Sequence, residues 1–327
     1  MRYSGGMIHR RAILAGLAAL AATRARAQEA FPSRPVTLIV PFPPGGSTDV
    51  IARIVAEAMR PSLGQPVVID NRAGAGGSVG TAFVARAKAD GSTIGMGTAS
   101  TLAINPAAYA KLPYEMNEIV PVGAIAEVPN IMSVHPGLPV TGMAEFIAYA
   151  KAAGGKIAYG SSGNGSVSHL MGEQFKLATG TNLLHVPYRG VGPALNDVVA
   201  GQIQVMFDNL PTTLQLVDGG KLRALAVSSK KRLAVLPNVP TFAELGLEEL
   251  DWTAFFGLIA PAQTPRAVIE KLNAALQSAL ADVSVRERLA AQQATVIPGT
   301  PDDFAALIAR EAARMQRATQ AANIRID

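Results

Sequence analysis

Two glycine-rich turns hold the residues best placed to do chemistry. The first, PFPPGGSTD (41–49), and the second, GSSGNGS (160–166), each follow a strand-like run and lead into apolar residues at helical spacing. A helix start presents unpaired backbone N–H groups and the positive end of the helix dipole, and glycine lets a ligand come close. Each turn therefore favours an anion, and two such turns in one chain point to a shared site. Helix capping alone, by Ser47, Asp49 or Ser166, is the alternative for either turn.

Neither turn has the spacing of a nucleotide site. The first lacks the Lys-Ser/Thr pair that a P-loop uses to reach phosphates. A third glycine stretch, NRAGAGGSVG (71–80), opens another predicted helix, but its glycines are one residue too widely spaced for a dinucleotide turn. A smaller anion, such as a carboxylate, fits the two turns better.

The same residues give little support for catalysis. A nucleophile elbow needs Gly-x-Ser-x-Gly, and around Ser162 the last glycine is missing. Neither a triad of His169, His185 and Asp208 nor a histidine metal site is supported by the spacing. The sequence has no cysteine, which excludes disulfides and thiol catalysis. We predict that the protein is not an enzyme and has no cofactor or metal. The alternative is a secreted serine hydrolase that uses Ser162 or Ser166.

The elements that must position these turns alternate along the chain. Short strand-like runs such as VTLIVPF (36–42) are separated by segments whose apolar residues recur three and four positions apart. This alternation predicts an α/β fold whose sheets are mostly parallel and flanked by helices. Extended stretches at 124–130 and 251–261 suit crossings between two lobes. The predicted lobes are 28–126 plus 256–327 and 127–255.

The first 27 residues predict an export signal. Arg10 and Arg11 precede an apolar run at 12–22, too short to span a bilayer, and a small-residue ARA at 25–27. We expect cleavage near Ala27 and a location outside the cytoplasm. The five arginines of this segment account for the formal charge of +5, which leaves 24 basic and 24 acidic residues in the rest of the chain. Without a basic surplus, neither nucleic acid nor an anionic membrane surface is predicted as a partner.

Several stretches together carry a family resemblance. The main ones are PFPPGGSTDVIAR, GSSGNGSVSHL and HVPYRGVGPALNDVVAGQIQVMFDN, supported by VIDNRAGAGGSVGT, INPAAYAKLPY, VPTFAELGL and APAQTP. In this ordered set the chain resembles the extracytoplasmic solute receptors of tripartite tricarboxylate transporters, also called Bug proteins. The resemblance implies a two-lobed periplasmic binding protein of the Venus-flytrap type. It also implies a monomer that closes on a small mono- or dicarboxylate and delivers it to membrane permease subunits.

The resemblance also assigns binding residues. In this family the two glycine turns hold one ligand carboxylate, partly through ordered water. Carried onto this sequence, the family pattern implies that the following residues bind the ligand: Phe42, Pro43, Gly45, Gly46, Ser47, Thr48, Asp49, Ser161, Ser162, Gly163, Asn164, Gly165 and Ser166.

Residues at the ends of other predicted strands are further candidates, because ligands of open α/β sheets bind there. Ser100, with Thr98, ends a first-lobe strand and can offer a hydroxyl. Tyr188 and Arg189 end a second-lobe strand, where Arg189 suits either a second carboxylate or an ion pair. Asp208 ends another strand and suits a ligand hydroxyl or amine, or a turn cap.

Overall fold

Two separate β-sheets form the frame of the molecule in this computed structural model, which describes residues 31–327. The predicted export signal, 1–27, and its cleavage site lie outside the described residues. The strands are β1 Val36–Val40, β2 Val67–Asn71, β3 Thr93–Thr98, β4 Ile119–Val128, β5 Asn130–Val134, β6 Ile157–Ser161, β7 Leu183–Pro187, β8 Val205–Asn209, β9 Arg223–Val227, β10 Ala254–Pro261 and β11 Thr295–Val296. A six-stranded sheet has the order β11-β4-β10-β3-β1-β2, and a five-stranded sheet has the order β7-β6-β8-β5-β9.

Ten α-helices flank these sheets within the described residues. They are α1 Ser47–Leu63, α2 Ser78–Ala85, α3 Asn105–Ala108, α4 Met143–Ala152, α5 Val167–Thr179, α6 Val191–Val199, α7 Leu210–Asp218, α8 Arg266–Ala281, α9 Val283–Ala291 and α10 Pro301–Ala321. A π-helical turn, Ser100–Ile104, leads directly into α3. No helix within residues 31–327 has the length and apolar character needed to cross a bilayer.

Both sheets are mixed. In the six-stranded sheet β1 pairs parallel with β2 and β3, whereas β10 pairs antiparallel with β3 and β4. In the five-stranded sheet β6 pairs parallel with β7 and β8, whereas β5 pairs antiparallel with β8 and β9. The predicted α/β, two-lobed fold is confirmed. The prediction that each sheet is mostly parallel is wrong, because at least half of the strand pairings in each sheet are antiparallel. The antiparallel pairings come largely from β5 and β10, which carry the chain into and out of the five-stranded sheet.

The chain passes between the sheets at two neighbouring points. β4 of the six-stranded sheet ends at Val128, and β5 of the other sheet begins at Asn130. The return crossing precedes β10, whose first residue, Ala254, pairs with Val128. The side-chain amide of Asn130 donates a hydrogen bond to the Trp252 carbonyl at 2.7 Å, which ties the two crossings together. We call the six-stranded sheet with its helices the first lobe and the five-stranded sheet with its helices the second; the residue bounds predicted for the lobes stay a prediction.

In the first lobe, the packing of β1 and α1 explains how the sequence positions a helix start at the cleft between the lobes. β1 lies between β3 and β2, and Leu38 and Ile39 are both fully buried, as expected for a strand covered on both faces. The apolar stripe of α1, with Ile51 and Val55 among its buried residues, packs against the core. Gly64, with φ 70°, ends the helix in the left-handed conformation that favours glycine. The sheet and the helix thus fix the loop between them from both sides.

Candidate functional site

A cavity of about 110 Å³ lies between the lobes, at the ends of strands from both sheets. This is the position in which open α/β sheets bind ligands. Its first-lobe lining is Phe42, Pro43, Pro44, Gly46, Ser47, Thr48, Thr98, Ala99, Ser100, Ala254, Phe255 and Phe256. Its second-lobe lining is Ser162, Val167, Ser168, Val191, Gly192, Pro193, Asp208 and Asn209.

The first glycine turn delivers the start of α1 to this cavity. Gly46 is the N-cap, and no side chain hydrogen-bonds to the first turn from that position. Ser47, the first helical residue, is only 5% exposed, and its Oγ has no hydrogen-bond partner among the described residues. A buried polar group left unpaired costs about 1–3 kcal/mol. The helix start therefore offers the cavity a positive dipole end and an unpaired hydroxyl.

Asp49 holds the first turn in shape. Its carboxylate accepts the Gly45 N–H at 3.0 Å, the Asn71 side-chain amide at 2.9 Å, and Nε of Arg53 at 2.9 Å. Burial raises the pKa of Asp49, but these hydrogen bonds outweigh it and keep the pKa below its ordinary value. The predicted binding residue Asp49 does not line the cavity, because its carboxylate is occupied within its own turn.

The second glycine turn is hydrogen-bonded mainly to itself. Oγ of Ser166, the N-cap of α5, accepts from the His169 N–H at 3.3 Å and donates to the Gly163 carbonyl at 2.6 Å. The Gly163 N–H in turn donates to Oγ of Ser161 at 3.2 Å. These backbone N–H groups, which the sequence offered for an anion, are thus occupied inside the turn.

Ser162 and Ser168 are the polar residues that this part of the second lobe presents to the cavity. The Ser162 N–H donates to Oγ of Ser168 at 2.9 Å, and their two hydroxyl oxygens are 3.3 Å apart. Oγ of Ser168 is also 3.0 Å from Oγ of Ser166. The second turn therefore contributes a linked set of hydroxyls to the cavity.

The second turn also packs directly on the first lobe. The Val167 N–H, the first of α5, donates to Oγ of Ser100 at 3.1 Å, and the Tyr109 hydroxyl donates to the Asn164 carbonyl at 3.1 Å. A Cβ atom on Gly76 of the first lobe would overlap the Asn164 carbonyl oxygen. Backbone meets backbone at this point, which glycine alone permits. The two lobes therefore touch beside the cavity.

Two stacked histidines lie behind the second turn. The rings of His169 and His185 stack with centroids 4.2 Å apart, and His185 also stacks on Tyr159 at 4.9 Å. Nε2 of His185 is 2.7 Å from Oγ of Ser161, and Nδ1 of His169 accepts from the Gly165 N–H at 3.2 Å. Burial lowers the pKa of both rings, that of His185 to about 3. Both rings are neutral at pH 7 and hold the turn from inside the lobe.

The end of β8 forms a further wall of the cavity. Asp208 is only 7% exposed, and the hydroxyls of Thr212 and Thr213 both donate to its Oδ2, the latter at 2.9 Å. Burial nevertheless raises the pKa of Asp208 to about 6. Oδ1 of the next residue, Asn209, is buried and has no partner in the described part of the chain. This wall therefore presents hydrogen-bond acceptors.

The structure brings about half of the predicted binding residues to the cavity. Those that line it are Phe42, Pro43, Gly46, Ser47, Thr48, Ser100, Ser162 and Asp208. Those that do not line it are Gly45, Asp49, Ser161, Gly163, Asn164, Gly165, Ser166, Tyr188 and Arg189. The Tyr188 hydroxyl donates to Asp197 at 2.7 Å, and Arg189 is exposed.

Sequence reasoning missed several lining residues. Asn209 follows Asp208 at the same strand end, so the rule that selected Asp208 could have found it as well. Phe255 and Phe256 lie in the stretch predicted as a lobe crossing, and no local pattern indicates that they face the cavity. The start of α6, at 191–193, also lines the cavity. Its N-cap, Gly190, is another glycine before a helix, and this signal could have identified it.

Among the described residues, neither serine of the hydrolase alternative has a basic side chain as the hydrogen-bond partner of its hydroxyl. Ser162 Oγ is near another serine hydroxyl, and Ser166 Oγ donates to a backbone carbonyl. In this turn it is Ser161 whose hydroxyl meets a histidine ring nitrogen, and Ser161 is fully buried and does not line the cavity. Among residues 31–327 no group of three or more acidic, histidine or cysteine side chains could hold a metal ion.

Comparison with known proteins identifies the family. Residues 51–324 match the model described as "Tripartite tricarboxylate transporter family receptor". The chain is 41% identical over 288 residues to Protein BugT of Bordetella pertussis, which covers 88% of each protein.

Two solved structures are similar over nearly their whole length. The R. palustris protein Rpa4515 with adipate is 37% identical with a TM-score of 0.86, over 90% of this chain and 99% of that one. MatC (Rpa3494) from Rhodopseudomonas palustris with bound malate is 34% identical with a TM-score of 0.84, over 88% of this chain and 99% of that one. The chain therefore belongs to the tripartite tricarboxylate transporter receptor family, whose members are solute-binding receptors and not enzymes.

Proposed function

We propose that this member of the tripartite tricarboxylate transporter receptor family captures a small organic acid between its lobes and delivers it to the membrane subunits of a transporter. The observation that carries the proposal is the unpaired, buried hydroxyl of Ser47, a residue at the start of α1 that lines the interlobe cavity. A carboxylate placed there accepts from this hydroxyl and lies at the positive end of the helix dipole.

The second lobe completes the carboxylate site from the opposite side. The hydroxyls of Ser162 and Ser168 line the cavity, as does Ser100 of the first lobe. Hydroxyl hydrogens rotate to suit a new acceptor, so these groups serve a carboxylate or an ordered water equally. Charge-assisted hydrogen bonds of this kind are about twice as strong as those between neutral groups. The predicted turn residues that do not line the cavity shape the two loops around it.

Capture proceeds by closure of the two lobes about their crossings. Within residues 31–327, the neighbouring crossings at Val128–Asn130 and Trp252–Ala254 are the covalent links that such a motion must bend. The lobe bounds that we propose, 28–126 plus 256–327 and 127–255, differ from the lobes defined by the two sheets only at 127–128 and 254–255. A ligand bound by both lobes shifts the equilibrium toward the closed form, because each lobe alone makes only part of its contacts. The closed form is the one that the membrane subunits receive.

Ligand binding is tested with pairs of acids and their primary amides. Isothermal titration and thermal shift with aliphatic acids of two to six carbons should detect binding by at least one acid and none by its amide. The amide has nearly the same size as the acid but no charge, so the pair isolates the contribution of the carboxylate charge to binding. Bound acid should raise the melting temperature as its concentration exceeds the Kd. Equal binding of acid and amide, or no binding of any acid in the panel, overturns the proposal.

Delivery and location need separate experiments. Uptake of the bound acid into proteoliposomes that contain the transporter membrane subunits should depend on added receptor. N-terminal sequencing of the protein from a periplasmic fraction should begin near Gln28, and light scattering should report a monomer. Uptake that is unchanged without the receptor contradicts delivery while leaving acid binding intact.

A further inference from the structure

The end of β8 presents hydrogen-bond acceptors that the described residues satisfy only in part. The carboxylate of Asp208 receives two hydroxyls from α7, both on Oδ2. Its Oδ1 accepts no side-chain hydrogen bond from the described residues, and the third donor to the carboxylate is the Asn209 backbone N–H. Asn209 adds a second acceptor, because its Oδ1 is buried without a partner in that same part of the chain. Both residues line the cavity, so the missing donors can come from a bound molecule.

Asp208 also lacks a positive partner. Within residues 31–327 no lysine, arginine or histidine forms an ion pair with it, and the groups that influence its ionisation are hydroxyls and a backbone N–H. Burial raises the pKa of Asp208 to about 6 and outweighs the hydrogen bonds from the two hydroxyls and the backbone N–H, which lower it, so at pH 7 the residue is still mostly ionised. A buried carboxylate without a cation is costly unless a ligand supplies a donor.

The two walls of the cavity therefore differ in polarity. The start of α1 offers a dipole end and the Ser47 hydroxyl, which suit an anion. The end of β8 offers a carboxylate and an amide oxygen, which repel an anion and accept hydrogen bonds. Phe255 and Phe256 also line this space and suit an aliphatic chain. A single molecule that satisfies both walls has a carboxylate at one position and a hydrogen-bond donor at another.

We propose that the ligand of this protein carries, besides its carboxylate, a hydroxyl or ammonium group that donates to Asp208 and Asn209, and that a second carboxylate is disfavoured at that position. This inference rests on the proposed function and narrows its ligand class to hydroxy or amino acids in the broad sense. It separates this chain from its relative with bound adipate, an unsubstituted diacid.

The test compares matched ligands that differ in one group. For each chain length from three to five carbons, isothermal titration is done with the plain monocarboxylate, its terminal hydroxy and amino derivatives, and the diacid. The 2-hydroxy and 2-amino isomers extend each set. We expect at least one donor-bearing ligand to bind ten-fold or more tightly than its parent, with the diacid no tighter than the parent. If the amino derivative binds more tightly than the hydroxy derivative, the ligand forms an ion pair with Asp208. If the hydroxy derivative binds more tightly, the ligand donates a neutral hydrogen bond.

Variants separate recognition from a structural role. In Asp208→Asn the advantage of the donor-bearing ligand over its parent should shrink at least five-fold while the parent still binds. Asn209→Ala gives a second readout that leaves the α7 hydroxyl contacts of Asp208 in place. Asp218→Asn, at the exposed end of the same helix, is the matched control and should leave the ratio unchanged.

The outcomes distinguish this inference from the proposed function. If the plain acids bind and the diacid is the tightest member of every set, the inference is overturned and the receptor function stands. If the affinity ratio between the donor-bearing ligand and its parent is the same in both variants as in the unmodified protein, the assignment of donor recognition to Asp208 and Asn209 is overturned. If no acid of any set binds, the proposed function fails, and this inference fails with it.

Discussion

The two glycine turns share a plan of strand, glycine-rich loop and helix, but their polar groups are used differently. In the first turn the N-cap is a glycine, Ser47 has a free buried hydroxyl, and Asp49 stabilises the loop from outside the cavity. In the second turn Ser166 caps the helix with its side chain, and His169 accepts a loop N–H. One loop is open toward the cavity, whereas the other is occupied by its own lobe and by the facing lobe.

The comparison shows that a helix start and a binding site are separate properties. Both turns have the positive dipole end and the glycines that favour an anion. Only the first also leaves a buried polar group unpaired beside the cavity, so it has more to gain from a ligand. The second positions its hydroxyls and brings the lobes into contact. We therefore expect substitutions in the first turn to act on affinity through direct contacts with the ligand, and those in the second to act on stability or, through closure of the lobes, indirectly on affinity.

The largest effect is expected from Gly165→Ala, compared with Gly45→Ala. Both glycines have positive φ, 75° and 86°, so both substitutions carry a similar backbone penalty of about 1–2 kcal/mol. A Cβ on Gly165 would lie 2.7 Å from the Tyr109 ring of the facing lobe, whereas one on Gly45 meets nothing within 4 Å. The clash opposes closure, so Gly165→Ala should weaken acid binding about 100-fold more than Gly45→Ala in isothermal titration, a difference of about 3 kcal/mol. Equal losses would show that lobe contact at this turn does not support binding.

A second test compares alanine substitutions of two serines, one from each turn. Ser47→Ala should weaken acid binding about 10-fold or more, because a hydrogen bond to a charged ligand contributes about 1.5–3 kcal/mol. It should not lower the melting temperature of the ligand-free protein, since that hydroxyl has no partner to lose.

Ser166→Ala is the matched variant and should behave in the opposite way. It removes the cap of α5 and should reduce the free energy of unfolding by about 1 kcal/mol, measured by urea denaturation. Its effect on affinity should be smaller than that of Ser47→Ala. If Ser47→Ala destabilises the free protein and leaves affinity unchanged, the distinction between the two turns is wrong.

Tyr109→Phe tests the contact between lobes with a smaller change. The Tyr109 hydroxyl donates to the Asn164 carbonyl at 3.1 Å and is also 3.0 Å from the Ala75 carbonyl of its own lobe. Losing one such bond costs about 1 kcal/mol, so acid affinity should fall about five-fold. Tyr149→Phe, on α4 and away from this contact, is the control and should leave affinity unchanged.

The smallest effect concerns pH and the histidines behind the second turn. His185 has a pKa of about 3 in the folded protein because it is buried, while its ordinary value is 6.5. Between these values the unfolded chain binds more protons, so stability falls as the pH drops below about 6.5. The groups that face this ring are His169, Glu173 and Lys176 from α5 and Tyr159 from β6.

His185→Phe keeps the ring stacking and removes this titration. Between pH 7 and pH 5 the melting temperature of the unmodified protein should fall by a few degrees more than that of the variant, measured by differential scanning calorimetry. The first turn has no buried histidine, so the comparison assigns the pH-sensitive part of stability to the second. The same fall in both proteins would place that sensitivity elsewhere.

Much of the fold could be predicted from local patterns. The alternation of strand-like runs and amphipathic segments predicted an α/β protein in two lobes. Burial of one helix face leaves apolar residues three and four positions apart, and burial of both strand faces leaves a short, nearly continuous apolar run. The proportion of antiparallel pairing could not be predicted, because it depends on how β5 and β10 pair after the chain crosses between sheets. Local periodicity carries no information about the direction of a distant neighbour.

The site could be predicted only in part, because local patterns identify strand ends and glycine turns but not the distant residues that pack beside them. Ser47 and Ser162 were selected because they lie in the two glycine turns that resemble the family's binding loops, and Asp208 because it ends a predicted strand. All three line the cavity. Phe255 and Phe256 were missed, because their position depends on the return crossing and its pairing with β4. Gly165 was selected as a binding residue, yet its N–H is taken by His169.

The sequence by itself determined that two helix starts, each preceded by glycines, would stand at strand ends, because capping, glycine conformation and apolar spacing act over a few residues. Only the tertiary structure decided which of the two starts keeps a free polar group. That outcome depends on Ser100, Tyr109 and His185, which lie far from their partners in the chain. Hydrogen bonds between distant residues form only when packing brings donor and acceptor within about 3 Å, and no local pattern encodes that distance.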